Sequence, residues 1–257
     1  MARDHAKAER NLPAGIPVRI ADYEDRASLD RAFAGIDRLL FIASDGDGRD
    51  VMRHHAAVIA AAAAAGTGHV VFTSIVDVEA GSPFYYVPVY RDAERRLAET
   101  GLSHTIVRCG LYAEFLLAHW LTPALATGSL SLPVGSARIA PVARDDVAEA
   151  AAAAIAAPVA DGKIYELTGP ASLSFPEIAD LASECCGVPL RNVAGAPSDY
   201  LQRLWAEIPD PWPHAFSTLC ASIAEGRYAR VSPDIEKLLG RPAEGLVDFL
   251  RRTARKA

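Results

Sequence analysis

Apolar runs and amphipathic stretches alternate along the first half of the chain. Four short, mostly apolar runs have the length and composition of strands buried in a parallel sheet. They are Pro17–Ala21, Asp37–Ser44 ("DRLLFIAS"), His69–Ser74 and Ser103–Gly110. Apolar residues at helical spacing follow the first three runs, in Asp25–Gly35, Met52–Ala65 and Tyr90–Thr100. The pattern predicts strands and helices in strict alternation.

The alternation continues less regularly beyond Gly110. A helix is predicted with Ser174 as its N-cap and Pro176 in its first turn, and two helices close the chain. The other predicted elements are a helix at Leu116–Ala126, a strand or hairpin at Ser131–Ile139, a helix from an Asp cap (Asp145 or Asp146) to Ala156, and strands at Lys163–Pro170 and Leu190–Ala194. Such alternation predicts an α/β protein whose parallel sheet is covered by helices on both faces.

Composition and charge narrow the range of partners. The 257 residues are 51% hydrophobic and 23% charged, and the net charge of −6 offers no strongly basic surface to nucleic acid. The alanine-rich stretches are too weakly hydrophobic to span a bilayer. The first residues, "MARDHAKAERN", lack the apolar core of a signal peptide. We therefore expect a cytoplasmic protein with no membrane or nucleic-acid partner.

The sequence contains few motifs that carry chemistry. It has no HExxH or GxSxG segment, and the adjacent His54 and His55 would face different sides of a helix, which disfavours a metal pair. The acid of many dehydrogenases, a tyrosine with a lysine four residues later, is also missing. Tyr90 begins a predicted helix, but Glu94 stands four residues after it. A carboxylate there is expected to raise the pKa of the phenol.

Several stretches together resemble the NmrA-like branch of the atypical short-chain dehydrogenase/reductase family, especially its NAD(P)H:quinone oxidoreductase-type members. They include "VRIADYEDRASLDRAFAGIDRLLFIAS", "VVFTSI", "AERRLAETGLSHTIVRCGLYAE", "ARIAPVARDDVAEAAAAAI" and "GKIYELTGPASLSFPEIADLASE", in the family's order and spacing. The resemblance implies a Rossmann-like, doubly wound parallel sheet with a smaller C-terminal lobe. We place the NAD(P)-binding domain at 1–165 and a mainly helical, substrate-side lobe at 166–257.

The resemblance begins late in the family's pattern. Family members start with a strand, a G-x-x-G-x-x-G turn, a helix and a second strand, whereas "ARDHAKA" here matches the end of that second strand. Roughly 30 residues of a βαβ unit are missing relative to the family. The missing glycines let backbone amides approach the pyrophosphate, and "DGDG" at Asp45–Gly48 is too acidic to replace them. We therefore expect impaired dinucleotide binding.

The same departure affects the predicted sheet. Without the family's first two strands, the Pro17–Ala21 strand loses its partner and the Asp37–Ser44 strand gains an open edge. An open edge invites aggregation or pairing with another chain. Two interpretations stay open at this point. Either the start codon lies further upstream, or the protein is truncated and its edge is repaired locally or by a second subunit in a homodimer.

The resemblance implies NADP as the cofactor. Arg3 matches a position whose guanidinium pairs with the adenosine 2′-phosphate, and Lys7 lies one helical turn further. Asp22 and Tyr23 match positions that contact adenine. A surface arginine and a helix-capping aspartate are the alternatives for Arg3 and Asp22. The other candidate cofactor-binding residues end three successive strands: Ile42, Ala43 and Ser44, then Thr73, then Gly110 and Leu111.

Ser74, Tyr90 and Tyr112 are the candidate catalytic residues. Ser74 ends a strand where short-chain dehydrogenases often carry a carbonyl-binding serine, and a turn or cap role is the alternative. Tyr112 follows the strand that matches the family's nicotinamide side. Tyr90 is a poor proton donor, although its hydroxyl can orient a substrate. Aromatic walls for a flat ring are expected from Phe84, Tyr85, Tyr86, Trp120, Trp205 and Trp212, with an ordinary core role as the alternative for each.

Three functions are open on the sequence alone. The first is NAD(P)H-dependent reduction of a quinone or similar small electrophile, since water can protonate a hydroquinone anion without a dedicated acid. The second is a non-catalytic regulator that senses NADP. The third is a truncated relative that binds no dinucleotide and acts as a partner protein. Oxidation of NADPH by a benzoquinone separates the first two, and calorimetry with the cofactor separates the second from the third.

Overall fold

The computed structural model describes residues 1–13, 15–159 and 161–254. The strands are β1 (Arg38–Phe41), β2 (His69–Ile75), β3 (His104–Cys109), β4 (Ser129–Leu132), β5 (Arg138–Ile139), β6 (Lys163–Leu167), β7 (Leu173–Ser174) and β8 (Arg191–Ala194). The helices before residue 130 are α1 (His5–Asn11), α2 (Arg26–Phe33), α3 (Gly48–Ala64), α4 (Val87–Glu99), α5 (Ala113–Phe115), which runs through a π-helical turn (Leu116–Leu121), and α6 (Thr122–Thr127). The later helices are α7 (Arg144–Ala156), α8 (Phe175–Cys186), α9 (Pro197–Glu207), α10 (Trp212–Ala224), α11 (Asp234–Leu239) and α12 (Leu246–Ala254).

A parallel four-stranded sheet with the order β1-β2-β3-β6 forms the centre of the fold. Successive residues of β2 point to opposite faces of this sheet. Phe72 packs in one apolar cluster with residues of α3 and α4, while Val71 packs in another with Val147 and Ala150 of α7. Helices therefore cover both faces, which confirms the α/β, Rossmann-like sheet predicted from the sequence.

Two of the predicted β segments are wrong. Pro17–Ala21 is not a strand, because its only ladder contact is a single parallel bridge between Ile20 and Ala2. The predicted hairpin at Ser131–Ile139 does not form either. Its two strands pair with distant segments instead, β4 with β8 in parallel and β5 with β7 in antiparallel orientation. Local patterning does not reveal a partner that lies far along the chain.

The helix starts show which capping predictions were right. Ser174 forms the predicted capping box with Glu177 at the start of α8. The predicted Asp cap of α7 is wrong: Ala143 occupies that position, and Asp146 lies inside the first turn. There its buried carboxylate accepts hydrogen bonds from the Arg241 side chain and the Glu244 backbone, so both of its oxygens are bonded to distant residues and not to the helix start.

Three helices, α1, α9 and α10, were not predicted from the pattern.

Strand β1 forms one edge of the sheet, as the sequence predicted. Just beyond it, Ile42 is 64% exposed. Pairing of this edge with a second chain stays a prediction. No helix in the described ranges is long and apolar enough to cross a membrane.

The largest apolar core joins residues from both sides of the predicted domain boundary. Leu116 and Leu121 pack in one cluster with Phe175, Ile178 and Phe249. A buried carboxylate adds a polar connection, because Asp77, which follows β2, accepts a hydrogen bond from the Ser222 hydroxyl of α10. The division into 1–165 and 166–257 stays a prediction.

Candidate functional site

A cavity of about 670 Å³ opens at the carboxyl ends of β1, β2 and β3. In open α/β sheets this edge is where ligands bind. Most of the candidate site residues line the cavity. Those from the strand ends are Ile42, Ala43 and Ser44 after β1, Thr73 and Ser74 in β2, and Gly110, Leu111 and Tyr112 after β3, and Tyr90 of α4 joins them.

The loop after β1 is held by two side chains from neighbouring elements. The Ala43 N–H donates to the Thr73 hydroxyl at 2.9 Å, and the Ser44 N–H donates to Nε2 of His55 at 3.2 Å. His55 is fully buried, and burial lowers its pKa to about 4, so the ring is neutral and Nε2 is free to accept. Sequence reasoning had not assigned this role to His55, because the contact joins a helix to a loop.

Ser44 carries an unusual hydroxyl. Its Oγ is buried and has no hydrogen-bond partner among the described residues. Buried hydroxyls in folded proteins are usually hydrogen-bonded, and Ser44 is one of the residues that line the cavity. Ser44 is a candidate cofactor-binding residue, and its contact with a cofactor stays a prediction.

The Ser74 hydroxyl is already engaged. It donates to Oε1 of Glu94 at 2.6 Å, and Arg108 forms a two-point ion pair with the same carboxylate at 2.7 and 3.1 Å. To bind a substrate carbonyl, Ser74 would have to release Glu94. The catalytic role of Ser74 stays a prediction. In the structure, its hydroxyl is hydrogen-bonded to the carboxylate of the Glu94–Arg108 ion pair.

Four tyrosines among the described residues line the cavity, and all are weak acids, including Tyr228, whose pKa burial raises well above its usual value. Burial raises the pKa of Tyr86 to about 12, and it raises the pKa values of Tyr90 and Tyr112 further. The sequence had predicted a raised pKa for Tyr90 through Glu94. The direction is confirmed but the cause was wrong: desolvation dominates, followed by Cys109, Tyr86 and Asp45.

Gly110 lies where three backbone segments meet. Its N–H donates to the Leu167 carbonyl at 2.8 Å, and a Cβ at this position would come within 3.2 Å of the same oxygen. Nearby, the Val142 N–H donates to the Leu111 carbonyl at 2.9 Å. Packing alone therefore explains a glycine here, and the predicted contact of Gly110 and Leu111 with a cofactor stays a prediction.

The remaining candidate cofactor residues lie outside the cavity. Arg3 and Lys7 are exposed, near the start of the chain. Arg3 lies close enough to Tyr23 for its charge to oppose the rise that burial causes in the pKa of the Tyr23 phenol. Asp22 accepts a hydrogen bond from the Glu24 backbone in a local turn, and the helix-capping role considered as its alternative belongs to Asp25. Their contacts with NADP stay predictions.

The aromatic walls were only partly predicted. Phe84, Tyr86 and Trp212 line the cavity as expected. Tyr85 instead accepts a hydrogen bond from the Gly48 N–H, Trp120 is buried against Tyr200, and Trp205 is 58% exposed. The sequence missed three aromatic lining residues, Phe115, Phe216 and Tyr228. Phe216 and Tyr228 lie in or after α10, which the pattern had not predicted as a helix.

Comparison with known proteins agrees with this geometry. A family model described as NAD(P)H-binding matches residues 1–158. The chain belongs to this NAD(P)H-binding family. Quinone oxidoreductase 2 of Escherichia coli is 32% identical over 96% of this chain and 86% of that protein. A (4-alkanoyl-5-oxo-2,5-dihydrofuran-3-yl)methyl phosphate reductase of Streptomyces griseus is 31% identical over 91% of this chain and 82% of its own length.

A solved structure extends the likeness to three dimensions. The crystal structure of the E. coli NADPH-dependent quinone oxidoreductase QOR2 in complex with NADPH has a TM-score of 0.91 and 30% identity. The match covers 98% of this chain and 88% of that one.

The described residues fit one end of a nicotinamide cofactor better than the other. On the ribose and nicotinamide side, the candidate residues Ser44, Gly110 and Leu111 all line the cavity. For the phosphates, Arg3 and Lys7 supply positive charge, but the given sequence contains no GxxGxxG loop. The expected impairment of NADP binding stays a prediction.

Proposed function

We propose that this protein is an NADPH-dependent oxidoreductase that reduces a quinone or a similar small conjugated electrophile. The observation that supports the proposal best is the cavity itself. It lies at the carboxyl ends of the strands in a member of the NAD(P)H-binding family, and aromatic residues line part of it. Trp212 is in ring contact with both Tyr86 and Phe216 there, which suits a flat substrate.

The chemistry suits a site without a strong acid. NADPH, when bound, supplies a hydride, and two-electron reduction of a quinone is completed by one proton from solvent. The Tyr86, Tyr90 and Tyr112 phenols stay neutral at physiological pH because burial raises their pKa values. The Tyr86 hydroxyl already donates to the Gly46 carbonyl at 2.6 Å, whereas the Tyr90 hydroxyl can donate a hydrogen bond to a substrate oxygen without transferring the proton.

The function is tested by oxidation of NADPH at up to about 1 mM, a generous upper value for KM, with menadione as the acceptor. We expect quinone-dependent loss of NADPH absorbance. Trp212→Leu should raise KM for menadione about tenfold, since loss of one aromatic contact plus apolar area is worth about 1–2 kcal/mol.

Trp205→Leu is the matched control, because Trp205 is an exposed tryptophan outside the cavity. Its KM should stay at the wild-type value. If NADPH binds but no quinone, azo compound or enone is reduced, the proposal is wrong and the sensing alternative gains support. Equal effects of the two tryptophan variants on KM would show that the substrate does not bind in the cavity.

The tyrosines make a separate prediction about pH. Because the phenols titrate well above neutral pH, kcat for menadione should be flat between about pH 7 and 9, where no lining tyrosine changes its charge. Tyr90→Phe should keep kcat within about threefold, the loss of an orienting hydrogen bond only. A fall of about a hundredfold or more, the size of a lost general acid, would show that Tyr90 donates the proton.

A further inference from the structure

One positive charge stands on the wall of the cavity. Arg144 begins α7 and is the only lysine or arginine among the described residues that line the cavity. Its side chain is exposed. The guanidinium lies over the Tyr112 ring, with its central carbon 5.3 Å from the ring centroid. This stacking fixes the side chain beside a ring that also faces the cavity.

The charge of Arg144 is not neutralised within the described part of the chain. No carboxylate there forms an ion pair with its guanidinium, although three carboxylates lie nearby in sequence or space. Glu114 accepts the backbone N–H of Arg144 at 3.0 and 3.1 Å, Asp145 lies 3.4 Å from Arg252, and Asp146 is paired with Arg241. Asp145 and Asp146 are paired with other arginines, and Glu114 bonds to the backbone of Arg144 and not to its side chain, so the guanidinium donors remain available to a ligand.

The charge of Arg144 acts on a residue at the aromatic side of the cavity, His119. Partial burial, and after it the charge of Arg144, lowers the pKa of His119. The His119 ring packs on Phe115 and Phe216, both of which line the cavity. Asp45, the one acidic lining residue in the described part, lies by contrast near Tyr86. An acidic group on a bound molecule would therefore be drawn to Arg144 and away from Asp45.

We propose that Arg144 is a specificity-determining residue that selects aromatic substrates carrying an acidic substituent, such as a carboxylate or sulfonate. This inference rests on the proposed function, because it assumes that the molecule bound beside Arg144 is a substrate. It adds the chemical class of that substrate. A guanidinium presents planar, paired donors that match the oxygens of such groups, and these charge-assisted hydrogen bonds strengthen where a cavity wall removes water. The ring of the ligand lies against the aromatic wall while its acidic group meets Arg144.

The test measures binding without any turnover. Calorimetry of the whole chain compares naphthalene-2-sulfonate with naphthalene-2-sulfonamide, which has nearly the same shape and no charge. The wild type should bind the sulfonate about tenfold more tightly, the size of a charge-assisted hydrogen bond in a partly desolvated site. Arg144→Gln should remove that preference. Arg203→Gln is the matched control and should retain it, because Arg203 stacks on Tyr200 at the same 5.3 Å but outside this cavity.

The outcomes separate this proposal from the proposed function. Equal affinity for the two ligands, or a preference that survives Arg144→Gln, overturns the role of Arg144 whether or not the protein reduces menadione. A cofactor phosphate is the other source of an acidic group. If saturating NADP+ displaces the sulfonate in competition, Arg144 belongs to the cofactor and the proposal is wrong, whereas a preference that persists with NADP+ present supports it.

Discussion

Gly169→Ala is expected to lower the free energy of unfolding by about 3 kcal/mol or more, the upper range for forced overpacking. A Cβ at Gly169 would lie 1.9 Å from the Pro141 carbonyl oxygen and 2.8 Å from the Pro141 carbonyl carbon. Both are backbone atoms, so no side-chain rotation relieves the clash. The Gly169 N–H also donates to the Ala140 carbonyl at 3.2 Å, which holds the two segments together. Urea unfolding followed by circular dichroism measures the change.

The clash at Gly169 should also disturb the backbone next to the cavity. The segment at Ala140–Pro141 continues to Val142, which exchanges backbone hydrogen bonds with Leu111 and Ala113 beneath the site. Gly81→Ala is the matched control, because its nearest neighbour would be an Arg227 side-chain nitrogen at 3.9 Å. That variant should unfold within about 0.5 kcal/mol of the wild type, as surface substitutions do. A stable Gly169→Ala protein would show that the two backbones are not in close contact.

His55 is expected to make the protein lose stability as the pH falls. Burial lowers its pKa from 6.5 to about 4 in the folded state, so the unfolded chain binds the proton more tightly. The stabilising effect is complete above about pH 6.5 and is lost progressively as the pH falls toward 4. The full shift corresponds to about 3 kcal/mol, of which about 2 kcal/mol should be lost by pH 5. Urea unfolding at pH 7.5 and pH 5 measures this loss.

Two variants isolate the contribution of this ring. His55→Gln retains an acceptor for the Ser44 N–H but has no titrating group, so its free energy of unfolding should fall by about 2 kcal/mol less than that of the wild type between pH 7.5 and 5. His214→Gln removes an exposed histidine and should keep the wild-type dependence. An unchanged slope in His55→Gln would show that His55 does not carry the proton linkage. The same ring packs edge-on against Phe41 at 5.2 Å, which explains why protonation in place is unfavourable.

Much of the central sheet and most of one wall of the site could be predicted from residues close in sequence. The apolar runs around Phe41, Phe72 and Val107 identify buried strands, and the rule that ligands gather at their carboxyl ends brought Ser44, Thr73 and Gly110 to one cavity. The Ser174 cap was predictable for the same reason, since a capping box lies within four residues of chain.

Only the tertiary structure decided what depends on distant segments. Several contacts join residues that no periodic pattern in the sequence links. They are the pairing of β4 and β5 with their partner strands, the hydrogen bonds of His55 with Ser44 and of Ser74 with Glu94, and the stacking of Arg144 on Tyr112. The sequence by itself determined the four strands of the central sheet and most of the helices that cover it, because those follow from spacing along the chain, but it did not reveal α1, α9 and α10. Whether a side chain is buried, and whether its charge has a partner, is decided only in the folded protein. Both depend on which distant residues the fold places next to that side chain.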